Sequence, residues 1–116
     1  MKFANDDYEV GSGNVFRDLN LADADELDLK SDLALIIARR IRELGLSQMK
    51  AAEIMGLDQP KVSALVRGHL EKFSRDRLCE LVSRLGYDLD IRIHKAKGGA
   101  PGKIKIAASR TLAHRA

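Results

Sequence analysis

The sequence is poor in several residues that would each mark a particular class of protein. It holds one cysteine, Cys79, which excludes an internal disulfide framework and a cysteine-based zinc site. It has no tryptophan, and aromatic residues make up only 4% of its 116 positions. A core of this composition must be aliphatic, which points to helices. The longest apolar run, Leu33 to Ala38, is six residues. A helix crossing a bilayer needs about 20. No signal-peptide pattern opens the chain, so a cytoplasmic setting is expected.

What is present fits one globular domain, with 45% apolar and 32% charged residues. The net charge of +3 hides a polarised chain. Residues 1–32 carry nine acids against three bases, and residues 33–94 carry eleven bases against eight acids. Residues 95–116 carry six bases and no acid. Basic density toward one end suggests a polyanionic partner, and an acidic end suits a basic one.

Residues 1–14 read as a flexible arm, with turn chemistry at Asn5-Asp6-Asp7 and Gly11-Ser12-Gly13-Asn14. Val15, Phe16 and Leu19 are apolar enough to dock as a short turn. Asp23 and Glu26 resemble a capping box, from which a helix either runs on or breaks near Ser31-Asp32. From Leu33 the helical period is clear, through Ile36, Ile37, Ile41 and Leu44. Gly45 stops it, with Arg39, Arg40 and Arg42 near its negative end. Ser47 caps a helix from Gln48 to Met55, and Gly56 ends it. Asp58 caps the next, where Pro60 is tolerated in the first turn, and that helix runs to about Arg67 and Gly68. Another starts near Ser74, carries Leu78, Leu81, Val82 and Leu85, and ends at Gly86. The period then changes to two: Leu89, Ile91 and Ile93 alternate with Asp88, Asp90, Arg92 and His94, as in a half-buried strand. Such a strand needs a partner. The candidates are the arm, Lys103 to Ile106, and its twin in a dimer; the dimer is the preferred reading. Residues 95–116, containing Gly98-Gly99-Ala100-Pro101-Gly102, read as a flexible basic tail.

The chemistry lies between Gln48 and Arg67. A helix of about eight residues, a glycine-led turn and a second helix is the spacing of a helix-turn-helix. Ala52 sits where the second helix crosses closely, and Gly56 takes a positive φ cheaply. Ala51, Met55, Leu57, Val62 and Leu65 point into one core. Gln59, Ser63 and Arg67 share the opposite face, flanked by Lys61 and Ala64. Competing motifs are weak. His69, His94 and His114 lack a second ligand at helical spacing, so no metal is expected. Gly11-Ser12-Gly13 and the stretch GGAPGKI fail the requirements of dinucleotide and phosphate loops. Cys79 adjoins an apolar stripe and reads as a core filler. No nucleophile, acid and base converge, so an enzyme is not expected.

The stretch LSQMKAAEIMGLDQPKVSALVRG resembles the Cro/CI-like (XRE) helix-turn-helix DNA-binding proteins. Gln48, Ala52, Gly56, Val62 and Leu65 sit where that motif expects them. SGNVFRDLNL and FSRDRLCELVSRLGYDLDIRI look like the subgroup that includes Hig-type antitoxins, so the resemblance covers roughly residues 12–94. It implies a mainly α fold: a five-helix Cro/CI-like domain over residues 15–94, with a C-terminal β-strand that pairs across a dimer. It also implies an autoregulating repressor binding double-stranded DNA at a pseudo-palindromic operator as a homodimer, with no cofactor. Gln59 would pair with an adenine and Ser63 would read a base edge or a phosphate. Gln48 would contact phosphate, while Lys61, Arg67 and His69 would add backbone contacts. Pro60 offers no side-chain hydrogen bond and Ala64 only a methyl, which leaves more of the readout to DNA shape. An antitoxin would further bind a small basic ribonuclease toxin, with the acidic stretch Asp23 to Asp28 as its surface.

Overall fold

The computed structural model describes residues 3–4, 7–9, 23–99 and 101–107. The expected turn at Val15, Phe16 and Leu19, much of the expected arm, and residues 108–116 of the expected tail lie outside the described residues. Two short strands come first, β1 (Phe3–Ala4) and β2 (Asp7–Glu9). Four helices follow: α1 (Asp23–Glu43), α2 (Gln48–Met55), α3 (Gln59–Val66) and α4 (Arg75–Arg84). A third strand, β3 (Arg92–Ile93), and a 3-10 turn at Lys97–Gly99 complete the order among the described residues.

The expectation of five helices is corrected to four among the described residues, because α1 does not break at Ser31-Asp32. Leu29, Leu33, Ile37 and Ile41 recur every fourth residue and are all buried. Serine and aspartate each cost a helix about 0.5 kcal/mol relative to alanine. Burying Leu29 contributes roughly 2 kcal/mol, and a break at Ser31 would swing it off that stripe. Packing outweighs propensity, and the helix runs on for 21 residues.

The shorter helices follow local chemistry closely. The Ser47 hydroxyl accepts from the Lys50 N–H at 3.1 Å, and Ser74 accepts from Arg77 N–H at 3.0 Å. Each removes an orphan donor from a first turn. The core lies between α1 and the other three helices. Ala51, Ala52 and Met55 enter it from α2, Val62 and Leu65 from α3, and Leu78, Leu81 and Val82 from α4. Phe73, in the loop before α4, and Leu85, just after it, complete it.

The expected strand over residues 88–94 is also corrected. Only Arg92–Ile93 is a strand, and both residues are exposed. It runs antiparallel to β2 of the same chain, with Tyr8 opposite Ile93 and Glu9 opposite Arg92. The alternation failed because its apolar residues do not share a buried face. Ile91 packs against the helical core, whereas Leu89 and Ile93 are exposed. Beyond β3 the chain returns to the domain, where Ile104 and Ile106 are half-buried against the same core. No helix among the described residues is long and apolar enough to cross a membrane.

Candidate nucleic-acid interface

The site is built on α2, the turn after it, and α3. Gly56 ends α2 in the left-handed region, at φ +68° and ψ +33°. The Leu57 N–H then reaches back to the Ala52 carbonyl at 3.0 Å, which closes the helix end. Two residues later Asp58 opens α3. Its carboxylate accepts from the Lys61 N–H at 2.9 Å, and Pro60 occupies a first-turn position that needs no donor. The turn is tight because a left-handed glycine and an aspartate cap stand only two positions apart.

Val62 and Leu65 anchor α3 in the core with essentially no exposure. Their burial turns the rest of the helix outward. Gln59, Pro60 and Lys61 are exposed, and so are Arg67 and His69 beyond the helix end. Ser63 and Ala64 are half-buried at the edge of that face. Arg67, the C-cap, donates from Nε to the Ser63 carbonyl at 3.3 Å, which holds its guanidinium against the helix. Gln48 stands apart from these residues as the first residue of α2, half-buried. The outer surface of α3 thus combines one amide, one hydroxyl and two cations, and α3 itself contains no acid. Neither Lys61 nor Arg67 forms an ion pair among the described residues. Both cations remain available to an anion.

Two side chains near the site were not singled out from the sequence. Met49 lies beside Gln48 and is 67% exposed, the most exposed of the large apolar residues among those described. It faces away from the buried set of Ala51, Ala52 and Met55, a mismatch that helical spacing alone could have flagged. Arg84 reaches from α4 to the turn, where a Cβ built on Gly56 would lie 2.7 Å from its Nη1. Glu80 holds that guanidinium at 3.3 Å. No local pattern in the sequence announces this contact.

Burial, and secondarily Asp76, push the Cys79 thiol up from 9.0 to about 11, so it is protonated at neutral pH. No group of three His, Cys, Asp or Glu residues suited to a metal ion occurs among the described residues.

A helix-turn-helix domain family matches residues 15–94 of the chain. A solved structure described as "Putative XRE Family Transcriptional Regulator" superposes with a TM-score of 0.72 at 39% identity. The match covers 76% of this chain and all of that one. The chain belongs to the XRE family of helix-turn-helix proteins. XRE-family helix-turn-helix proteins are non-catalytic, DNA-binding regulators of transcription, and this chain is one of that class. Among curated proteins, none matches it.

Proposed function

We propose that this XRE-family protein is a sequence-specific repressor that binds a pseudo-palindromic operator as a homodimer, in the cytoplasm. The observation that carries this reading is the outward face of α3, where Gln59 and Ser63 stand beside Lys61 and Arg67 on a helix pinned by Val62 and Leu65. A helix held this rigidly presents its polar face at little entropic cost. Gln59, in the first turn of α3, has the donor and acceptor needed for the N7 and N6 edge of adenine. Ser63 contacts a base edge or phosphate one turn later. Lys61 and Arg67 neutralise phosphates, His69 adds a backbone contact, and Gln48 meets the backbone from the start of α2. Pro60 and the Ala64 methyl supply shape and apolar contact only.

The antitoxin reading rests on the resemblance to Hig-type antitoxins. In the acidic stretch assigned to a toxin, Glu26 is already engaged by Lys30 at 3.8 Å and Arg75 at 3.6 Å. Operator binding is therefore the reading the interface supports best, and it requires no toxin.

The test is fluorescence-anisotropy titration of the full chain against its own upstream DNA and a shuffled duplex, at two salt concentrations. The expected result is tighter binding to the upstream DNA, with selectivity lost in Gln59→Ala/Ser63→Ala. Equal affinity for the two duplexes at about 0.15 M salt, where specific binding normally exceeds non-specific binding by at least 10³, contradicts it.

A further inference from the structure

Residues 95–107 contain four lysines and no acid. They lie beyond the part of the chain that the family covers, which ends at residue 94. A run of lysines with small residues would ordinarily be a solvated tail, but this one is attached to the domain. Ile104 and Ile106 are half-buried against the helical core, while Lys103 and Lys105, alternating with them, are exposed. The segment also doubles back on itself. Gly98 takes a positive φ of 77°, and a Cβ built on Gly102 would lie 3.7 Å from the Ala96 Cβ. That return brings the stretch carrying Lys95 and Lys97 beside the stretch carrying Lys103 and Lys105. All four are exposed, and none forms an ion pair among the described residues.

We propose that this anchored lysine loop is a second DNA contact, in which Lys95, Lys97, Lys103 and Lys105 grip phosphates flanking the operator without reading sequence. It rests on the reading of the protein as DNA-binding and adds a separate surface to it. Four exposed ammonium groups in one loop offer concentrated positive charge to duplex DNA, which carries one phosphate charge per roughly 1.7 Å of axis. An ammonium is a point charge with no planar fork, so it suits phosphate and carries no base preference. Anchoring by Ile104 and Ile106 reduces the entropy lost when the loop meets DNA, which a free tail would have to supply in full.

The test is the salt dependence of binding by the full chain with all four lysines changed to glutamine, and separately to arginine. Each phosphate contact contributes about 0.9 to the slope of log K against log salt. The glutamine variant should lower that slope by between about 3 and 4 on operator and shuffled DNA alike, leaving the ratio of the two affinities unchanged. The arginine variant should retain the wild-type slope. A glutamine variant whose slope falls by less than about 0.9, the loss of a single phosphate contact, overturns the proposal. Far-UV circular dichroism of each variant establishes that the comparison is between folded proteins. Failure of the operator reading is a different result: wild-type affinity ratios near one, whatever the lysine variants do.

Discussion

Arg40, near the end of α1, donates from Nε to the carbonyl of Leu85, the C-cap of α4, at 3.0 Å. Forty-five residues separate them. Arg40 also lies 4.8 Å above the centre of the Tyr87 ring and 3.4 Å from the Glu43 carboxylate. One guanidinium therefore joins the C-terminal ends of two helices. It satisfies a carbonyl that a helix end leaves unpaired, and its positive charge opposes the negative end of α4. Arg40→Met keeps most of the stem and removes the charge. It should cost about 1–2 kcal/mol in urea unfolding, the range for a charge-assisted hydrogen bond plus a partly exposed cation–π contact. Tyr87→Phe should cost less than about 0.5 kcal/mol, because its hydroxyl donates to Glu43 only at a long 3.3 Å in an exposed setting.

The turn glycine gives a sharper comparison. Gly56 and Gly45 have nearly the same positive φ, +68° and +65°, but different surroundings. A Cβ at Gly45 meets nothing within 4 Å, whereas one at Gly56 meets the Arg84 guanidinium at 2.7 Å. Gly45→Ala should cost about 1–2 kcal/mol from backbone strain alone. Gly56→Ala should cost the same amount plus a few tenths, since the flexible end of Arg84 can step aside. Adding Arg84→Ala to Gly56→Ala should recover only that small excess, in a thermal-unfolding cycle.

Capping links stability to binding at α3. Asp58→Ala frees the Lys61 N–H and should destabilise the domain by about 1 kcal/mol. Asp58→Asn retains an acceptor and should cost little. Frayed first-turn geometry would displace Gln59 and Lys61, so Asp58→Ala should weaken operator binding beyond the loss of folded protein. Ser47→Ala, which uncaps α2, should show a similar stability loss with a smaller effect on selectivity. Denaturant titration and anisotropy on the same samples check both.

The two kinds of side chain on α3 should separate in titrations. Lys61→Ala and Arg67→Ala should weaken operator and shuffled DNA equally and each lower the salt slope by about 0.9. Gln59→Ala should leave the slope unchanged and reduce only the affinity ratio, by about 1–3 kcal/mol of discrimination.

Cys79 should be slow to alkylate. Its thiol titrates near 11 instead of 9.0, raised by burial and by Asp76, so almost no thiolate exists at pH 8. Native protein should react with iodoacetamide far more slowly than urea-unfolded protein, with a rate that climbs through pH 10–11. The linkage has a fixed sign. The folded pKa lies above the unfolded one, so the thiol's contribution is complete below about pH 9 and is lost as pH rises to about 11.

Most of the candidate interface is legible in the sequence because its signals are local. The caps Ser47, Asp58 and Ser74 and the stop at Gly56 each act over three or four residues, and each lies where spacing placed it. Outward placement of Gln59, Lys61 and Arg67 follows from the apolar positions Val62 and Leu65 on an eight-residue helix. Readings that depended on distant packing fared worse. Continuity of α1 through Ser31 is decided by the burial of Leu29, which only the assembled core reveals. The period-two pattern after Gly86 looked like a strand, but Ile91 packs on the helices while Leu89 and Ile93 do not. Arg40 and Arg84 act on partners 45 and 28 positions away, and no short-range rule points to either.

In the proposed complex α3 reads bases in the major groove through Gln59. The most direct test replaces operator adenines one at a time with 7-deaza-adenine, which removes the N7 acceptor and leaves base pairing intact. Wild-type protein should lose affinity at one adenine per half-site, and Gln59→Ala should be indifferent to that replacement. If wild type tolerates every replacement, or both proteins lose affinity equally at the same position, Gln59 does not read that edge and α3 is not held on the operator as proposed.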